Sequence, residues 1–373
     1  MSFLGRILIV RNYPNEVNIN SYNLQEIGLA KELVKNGFDV DIVYYRKNKS
    51  ETQTFYTFDG RSVNILWTNG YSLKQYVLFP SILKKQFLQK YDNIITTEYF
   101  QPMSYLIGKI KSGSTIIYHG PYMDGKYKLI NNLLNMLTRK SIQKNSKKIL
   151  VKSTLAESYL EEKKVSNIKV VGVGLDASNL LRKDNFDRVK SKINKESSDL
   201  LLYIGHLDER RNISFLLRTF KRILEKRPNT KLLLIGKGKK ESTSMYFNEM
   251  KELGIKDQII YIEQVEQADL KYVYEQSDLF IFPSKVDIFG MVLLESMFFG
   301  TPVVSSKNGG AKTIINEDNG IVIEDFNEEK WAIETLNLLE DRKRYTNMAS
   351  NAKSIVTNNF LWQHVAKKFI DTF

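Results

Sequence analysis

The chain has 373 residues, 42% apolar and 12% aromatic, with 7 Pro and 20 Gly, a profile that excludes disordered and fibrous classes and fits two ordinary domains better than one. Cysteine is absent, which removes disulfides, thiolate metal sites and a cysteine nucleophile. The net charge of +13 is lopsided: residues 1–175 hold 25 Lys/Arg against 13 Asp/Glu, a balance of +12, and residues 176–373 hold 30 against 29.

Arg6 to Val10 reads as a first buried strand. The apolar start is broken by Arg6 and runs into Arg11 and Asn12, so it lacks the order of a signal peptide, and no stretch approaches a membrane span; a cytoplasmic protein is the expectation. Ser21 to Asn36 places Leu24, Ile27, Ala30, Leu33 and Val34 on one helical face, with Gly37 as the stop. Val40–Tyr44, Asn93–Thr97, Thr115–Tyr118 and Ile149–Val151 continue the strands. Lys169 to Asn194 has mixed charge and little periodicity, and reads as an interdomain connection.

The pattern then restarts. Strands Leu200–Ile204, Lys231–Ile235, Gln258–Ile262 and Asp278–Phe282 alternate with helices near Asn212–Glu225, Ser242–Leu253 and Ala268–Gln276. After Asn327 the chain is helical: Glu328–Leu339, Arg342–Thr357 and Leu361–Thr372. Two strand–helix series predict two doubly wound α/β sheets, whose ligands bind at the carboxyl ends of the strands.

The densest chemistry lies between Phe282 and Ser305. A strand ends at Pro283, a loop carries Asp287, Phe289-Gly290 open a helix, and Glu295 sits in its second turn. Both carboxylates are within reach of a ligand laid across the helix N-terminus, where unpaired amides and the dipole suit phosphate. Taken alone, the two acids read as a helix-capping acid and a solvated helical residue; it is the surrounding motifs that favour a ligand. Asp39-Val-Asp41 superficially looks like a metal-binding pair but opens a strand after Gly37, and is read as structural; no metal is expected. His364, beside Trp362, is likewise read as structural.

In this order the segments resemble retaining glycosyltransferases of family 4. The resemblance rests on Tyr203-Ile-Gly-His-Leu-Asp-Glu-Arg-Arg-Asn-Ile213, Leu234-Ile-Gly-Lys-Gly238, Pro283-Ser with Asp287, Phe289-Gly290 and Glu295, Ser305-Lys-Asn-Gly-Gly310, Asn319-Gly320, and Tyr118-His119-Gly120. It implies the GT-B fold, two facing Rossmann-like doubly wound domains with an interdomain cleft: residues 1–175 on the acceptor side, 176–357 binding the nucleotide sugar, and helix 358–373 packing back on the first.

By the same resemblance Glu295 holds the ribose hydroxyls, Asp287 orients the transferred sugar, the amides of Phe289, Gly290, Met291 and Val292 face sugar and diphosphate, and Arg211 neutralises the diphosphate. Gly205 and Gly236 line the donor loops, and His119 contacts the donor sugar. His206 stands where the family usually has arginine, Asp287 where it usually has glutamate, and Asn12 to Asn20 lacks the usual paired glycines. The implied activity is transfer of a sugar from a nucleoside-diphosphate donor, expected to be a UDP-sugar, to a glycan or lipid-linked hydroxyl with retention, without metal or other cofactor. A nucleotide-sugar epimerase or hydrolase of the same architecture, and a basic binding protein, are the alternatives.

The positive excess concentrates at Leu73–Tyr91 and Lys128–Ile149. In the second, Ile130, Leu133, Leu134 and Leu137 fall at helical spacing, followed by Arg139, Lys140, Lys144, Lys147 and Lys148. An amphipathic basic segment of this kind suits an anionic membrane surface, so a peripheral place on the inner face of the cell membrane is expected; nucleic acid is not, for want of an aromatic stacking pattern.

Overall fold

The computed structural model describes residues 3–21, 24–48, 50–181, 187–193 and 199–373. The chain divides into two compact units, Met1–Gly174 with Trp362–Phe373, and Leu175–Leu361.

In the first unit the strands are β1 (Gly5–Val10), β2 (Phe38–Tyr45), β3 (Glu51–Phe58), β4 (Arg61–Thr68), β5 (Tyr71–Leu73), β6 (Tyr76–Leu78), β7 (Asn93–Thr97), β8 (Thr115–His119), β9 (Ser146–Val151) and β10 (Ile168–Val170). The helices are α1 (Gln25–Lys35), α2 (Lys85–Leu88), α3 (Pro102–Ile110), α4 (Lys128–Asn145) and α5 (Thr154–Glu162), with α15 (Trp362–Ile370) returning from the end of the chain. Among the described residues eight strands form one sheet in the order β10-β9-β8-β7-β1-β2-β4-β3. All its pairs are parallel except β3 with β4, and β5 with β6 makes a separate hairpin. Ile7 to Val10 are buried to within 1% because helices cover both faces of a parallel sheet. Strand order reverses beside β1, which has β2 on one side and β7 on the other. Asn12 stitches that switch point: its side-chain amide donates to Thr96 Oγ1 at 2.7 Å, Thr97 O at 2.6 Å and Ser104 Oγ at 3.0 Å.

Helix α15 closes this unit. Trp362 lies against Gly28 of α1 and Gly174, where an added Cβ would fall 2.1 Å and 2.3 Å from the indole. Phe369 meets Tyr118 edge-on at 5.1 Å, and Phe373 meets Phe38 at 5.4 Å.

The second unit contains α6 (Ala177–Leu180), α7 (Asp187–Lys190), β11 (Leu200–Ile204), α8 (Ile213–Lys226), β12 (Lys231–Ile235), α9 (Lys240–Glu252), β13 (Ile259–Ile262), α10 (Leu270–Gln276), β14 (Leu279–Phe282), α11 (Met291–Phe299), β15 (Val303–Ser306), α12 (Gly309–Ile314), β16 (Ile321–Ile323), α13 (Glu328–Glu340) and α14 (Arg342–Asn359). Its sheet runs β13-β12-β11-β14-β15-β16, all parallel, with the order reversing between β11 and β14. Helix α11 is apolar nearly all round and buried, as a core helix must be; left-handed glycines, Gly290 (φ 69°) and Gly300 (φ 81°), bound it.

Three sequence expectations change. Lys169 and Val170, read as connection, belong to β10 at the sheet edge. The helix expected over 21–36 begins at Gln25, and residues 22 and 23 lie outside the described set. The basic segment 128–149 is not one element: α4 ends at Asn145, and Lys147 and Lys148 are half-buried in β9.

Candidate functional site

At the switch point of the second unit, two loops far apart in sequence are joined. After β11, Asp208 caps a single 3-10 turn, Glu209–Arg211, by accepting from the Arg211 amide at 3.0 Å, and Asn212 turns into α8 with φ 60°. After β14, Pro283 and Ser284 are buried and the chain runs through Asp287 to α11. The Lys285 amide donates to Arg210 O at 2.9 Å, and Arg210 Nη1 donates to Val286 O at 3.2 Å. These contacts clamp one loop on the other.

The clamp presents Arg211. Its guanidinium stacks 5.1 Å above the Phe282 ring, donates to Ser284 Oγ at 3.2 Å and pairs with Asp287 Oδ2. Its Nε is buried and has no acceptor among the described residues. The cation is therefore pre-aimed and retains an unspent donor, which suits a multidentate anion.

Asp287 departs from expectation. Its Oδ1 accepts from the amides of Phe289 at 3.1 Å and Gly290 at 2.7 Å, while Oδ2 faces Arg211. Two of the four amides expected to face a ligand, those of Phe289 and Gly290, are thus taken by this carboxylate. Those of Met291 and Val292 begin α11, where no acceptor exists within the helix. A short acid two residues before an amide closes this ring easily.

Glu295 is buried on the second turn of α11, with 2% of its surface exposed, and Oε2 accepts from the Tyr274 hydroxyl at 2.9 Å. Gly205 and Gly236 bring the ends of β11 and β12 backbone to backbone: Gly236 adopts φ 151°, and a Cβ there would fall 1.8 Å from Gly205 O. His206 is exposed on the same loop. Asp39 and Asp41 are spent on structure, Asp39 accepting from Ser62 N, and Asp41 from Arg6, Asn64 and Tyr91.

In the first unit His119 ends β8 and is fully buried. Its Nδ1 lies 2.7 Å from Glu98 Oε2, and its Nε2 has no partner among the described residues. Glu98, directly after β7 and at φ 67°, also accepts from Gly120 N at 3.0 Å, and Lys152, directly after β9, stands 3.6 Å from its other oxygen. Burial raises the Glu98 carboxyl, but Lys152, His119 and the Gly120 amide together outweigh it and hold it at about 2. Sequence reading missed Glu98, Lys152 and Tyr274; the available signal was position, since Glu98 and Lys152 each follow a predicted strand by one residue.

Residues 183–355 match the family model for glycosyl transferases group 1. The matched residues lie within the second unit and make up less than half of the chain. The chain is a glycosyltransferase. An uncharacterized glycosyltransferase of Methanocaldococcus jannaschii is 24% identical over 98% of this chain and 97% of its own length. The lipopolysaccharide 1,2-N-acetylglucosaminetransferase of Salmonella typhimurium is 27% identical over 79% of this chain and 81% of its own. The crystal structure of Anabaena HepE in complex with UDP-glucose covers 99% of both chains at 16% identity with a TM-score of 0.70. Sucrose-phosphate synthase from Thermosynechococcus elongatus gives 0.72 at 18% identity over 98% and 97%. The glycosyltransferase has the GT-B fold, with two Rossmann-like units of parallel sheet.

Proposed function

We propose that the chain transfers a hexose from a UDP-sugar to a hydroxyl of a glycan or lipid-linked acceptor, that Arg211 with the Met291 and Val292 amides meets the diphosphate charge without a metal ion, and that His119 contacts a sugar hydroxyl. The observation that carries this reading is Arg211, fixed by Phe282, Ser284 and Asp287 at the sheet's switch point with Nε buried and unspent. A cation held ready at the leaving group stabilises charge as it develops and needs no reorganisation. UDP is favoured as the nucleotide because HepE was crystallised with UDP-glucose, and a glycan acceptor because the Salmonella relative is a lipopolysaccharide sugar transferase. The test is a panel of UDP-, GDP-, ADP- and TDP-sugars followed by product mass, with and without EDTA. UDP-sugar turnover that EDTA leaves intact is expected; consumption of donor with no acceptor present overturns transfer in favour of epimerisation or hydrolysis.

Glu295 is assigned the ribose hydroxyls in this reading. Glu295→Ala is expected to weaken UDP and UDP-sugar alike by roughly ten- to a hundredfold, since hydrogen bonds to a charged group are worth about 1.5–3 kcal/mol. Calorimetry that finds parental UDP affinity in a folded variant would return Glu295 to a purely structural partnership with Tyr274.

The reaction is further proposed to take place at an anionic membrane surface. No helix among the described residues is long and apolar enough to cross a membrane, but α4 carries Leu129, Ile130, Leu133, Met136 and Leu137 exposed at helical spacing, Leu129 to 83%. Lys128, Lys140 and Lys144 are exposed on the same helix, and Tyr71 and Leu73 are exposed on the β5–β6 hairpin, whose Tyr76 bonds to Asn131 of α4. Apolar stripe and cationic rim together match a headgroup boundary. Each lysine near such a surface contributes about 1 kcal/mol, so Lys140→Gln with Lys144→Gln should reduce partitioning to phosphatidylserine-containing vesicles roughly thirtyfold. Equal sedimentation of variant and parent would sink the idea.

A further inference from the structure

The ends of three adjacent strands of the first unit, β7, β8 and β9, each deliver one ionisable side chain to a single buried point: Glu98, His119 and Lys152. His119 is fully buried, yet its Nε2 has no partner among the described residues. A buried polar atom left unmatched costs free energy unless something else occupies it, so the atom points to a ligand.

Which hydrogen-bonding role Nε2 plays follows from the other nitrogen. Nδ1 faces two neighbours, Glu98 Oε2 at 2.7 Å and the Tyr99 amide at 3.3 Å. If Nδ1 were bare it would accept the longer bond from Tyr99 and set its lone pair against a carboxylate oxygen at the shorter distance. The same Oε2 already accepts from Gly120 N, and Lys152 stands beside Oε1, so the carboxylate is surrounded by donors and is kept charged. A charged carboxylate has no proton to give. The short bond must run from Nδ1–H to Glu98, which is the stronger, charge-assisted arrangement.

We propose that Glu98 is a positioning residue that holds His119 in the Nδ1–H tautomer, so that the bare Nε2 accepts a hydrogen bond from a substrate hydroxyl. This deepens the function proposed above and rests on its reading of His119 as a sugar contact. The left-handed backbone at Glu98 (φ 67°) fits such a role: a non-glycine residue there is strained, and the strain aims the side chain back across β8.

The imidazole nitrogens can be read directly by 15N NMR of the parent protein at neutral pH. Only three histidines are present, and the resonance lost in His119→Gln assigns the one that matters. A protonated Nδ1 with a bare Nε2 is expected; an Nε2–H tautomer, or both nitrogens protonated, overturns the assignment of Glu98, and both are read in the parent protein. In E98A Nδ1–H has no carboxylate to donate to and the Tyr99 amide, 3.3 Å away, donates to Nδ1 instead, which moves the proton to Nε2. That variant should show the tautomer change together with a KM for the UDP-sugar raised roughly three- to tenfold, and UDP inhibition unchanged. UDP-glucose added to the parent should move the Nε2 resonance, and UDP should not. If the tautomer is as stated but UDP-glucose leaves Nε2 unmoved, the substrate hydroxyl is overturned, a failure distinct from finding no UDP-sugar turnover at all.

Discussion

Asp287→Asn is expected to cut turnover by roughly ten- to two-hundredfold while UDP affinity is retained or slightly tightened. Asn keeps an oxygen for the Phe289 and Gly290 amides, so the loop survives, and it caps about as well as Asp. What it loses is the charge facing Arg211 and any sugar hydroxyl. A charge-assisted hydrogen bond is worth about 1.5–3 kcal/mol, and a loss confined to the transition state appears in turnover without weakening nucleotide binding. Arg211, relieved of its carboxylate, has more charge to offer the diphosphate. If the Asn variant turns over at the parental rate, Asp287 serves the loop alone, and the sugar contact passes to other residues. Asp287→Glu separates charge from reach, and a pocket shaped around the shorter acid should lose activity with it.

Gly310→Ala is expected to damage both stability and donor binding. Helix α12 starts against the site loop, backbone on backbone: a Cβ at Gly310 would fall 1.5 Å from Phe289 O, and one at Gly309 would fall 2.1 Å from Ile288 O. Neither neighbour is a flexible side chain that can swing away. Overpacking costs about 1–3 kcal/mol, which at the upper end lowers the melting temperature of a unit this size by roughly 6–12 °C. The displaced loop carries Asp287 and leans on Arg211, so donor affinity should fall with it. Gly125→Ala, where an added Cβ meets nothing within 4 Å, is the control. Parental melting and turnover in Gly310→Ala would mean that the loop can retreat at little cost.

The parts of this fold that were legible in the sequence are those buried on both faces. Ile7 to Val10 and Leu200 to Ile204 are unbroken apolar runs because a parallel sheet is covered on each side. The strand Glu51–Phe58 escaped notice for the converse reason: it is an exposed edge, polar at most positions, and among the described residues pairs with β4 alone. Helix α4 was visible by its spacing, but spacing cannot say which way a stripe faces, and this one faces out. In the donor loops Arg211, Asp287 and Glu295 were legible as a motif. The ion pair between Arg211 and Asp287 was not, because it joins segments brought together only where β11 and β14 lie side by side. Glu98 and His119 meet by the same logic, through adjacent β7 and β8.

The return of α15 to the first unit fixes an order of assembly. Leu175–Leu361 is continuous, so a nascent chain leaving the ribosome holds every strand and helix of that unit before Trp362 is made. The first unit, although synthesised first, lacks until then the indole that lies against Gly28 and Gly174 and the rings that meet Tyr118 and Phe38. During translation its apolar flank stays open throughout the making of the other unit. That interval is when a holdase would have a surface to grip, and a premature stop before Trp362 would make it permanent.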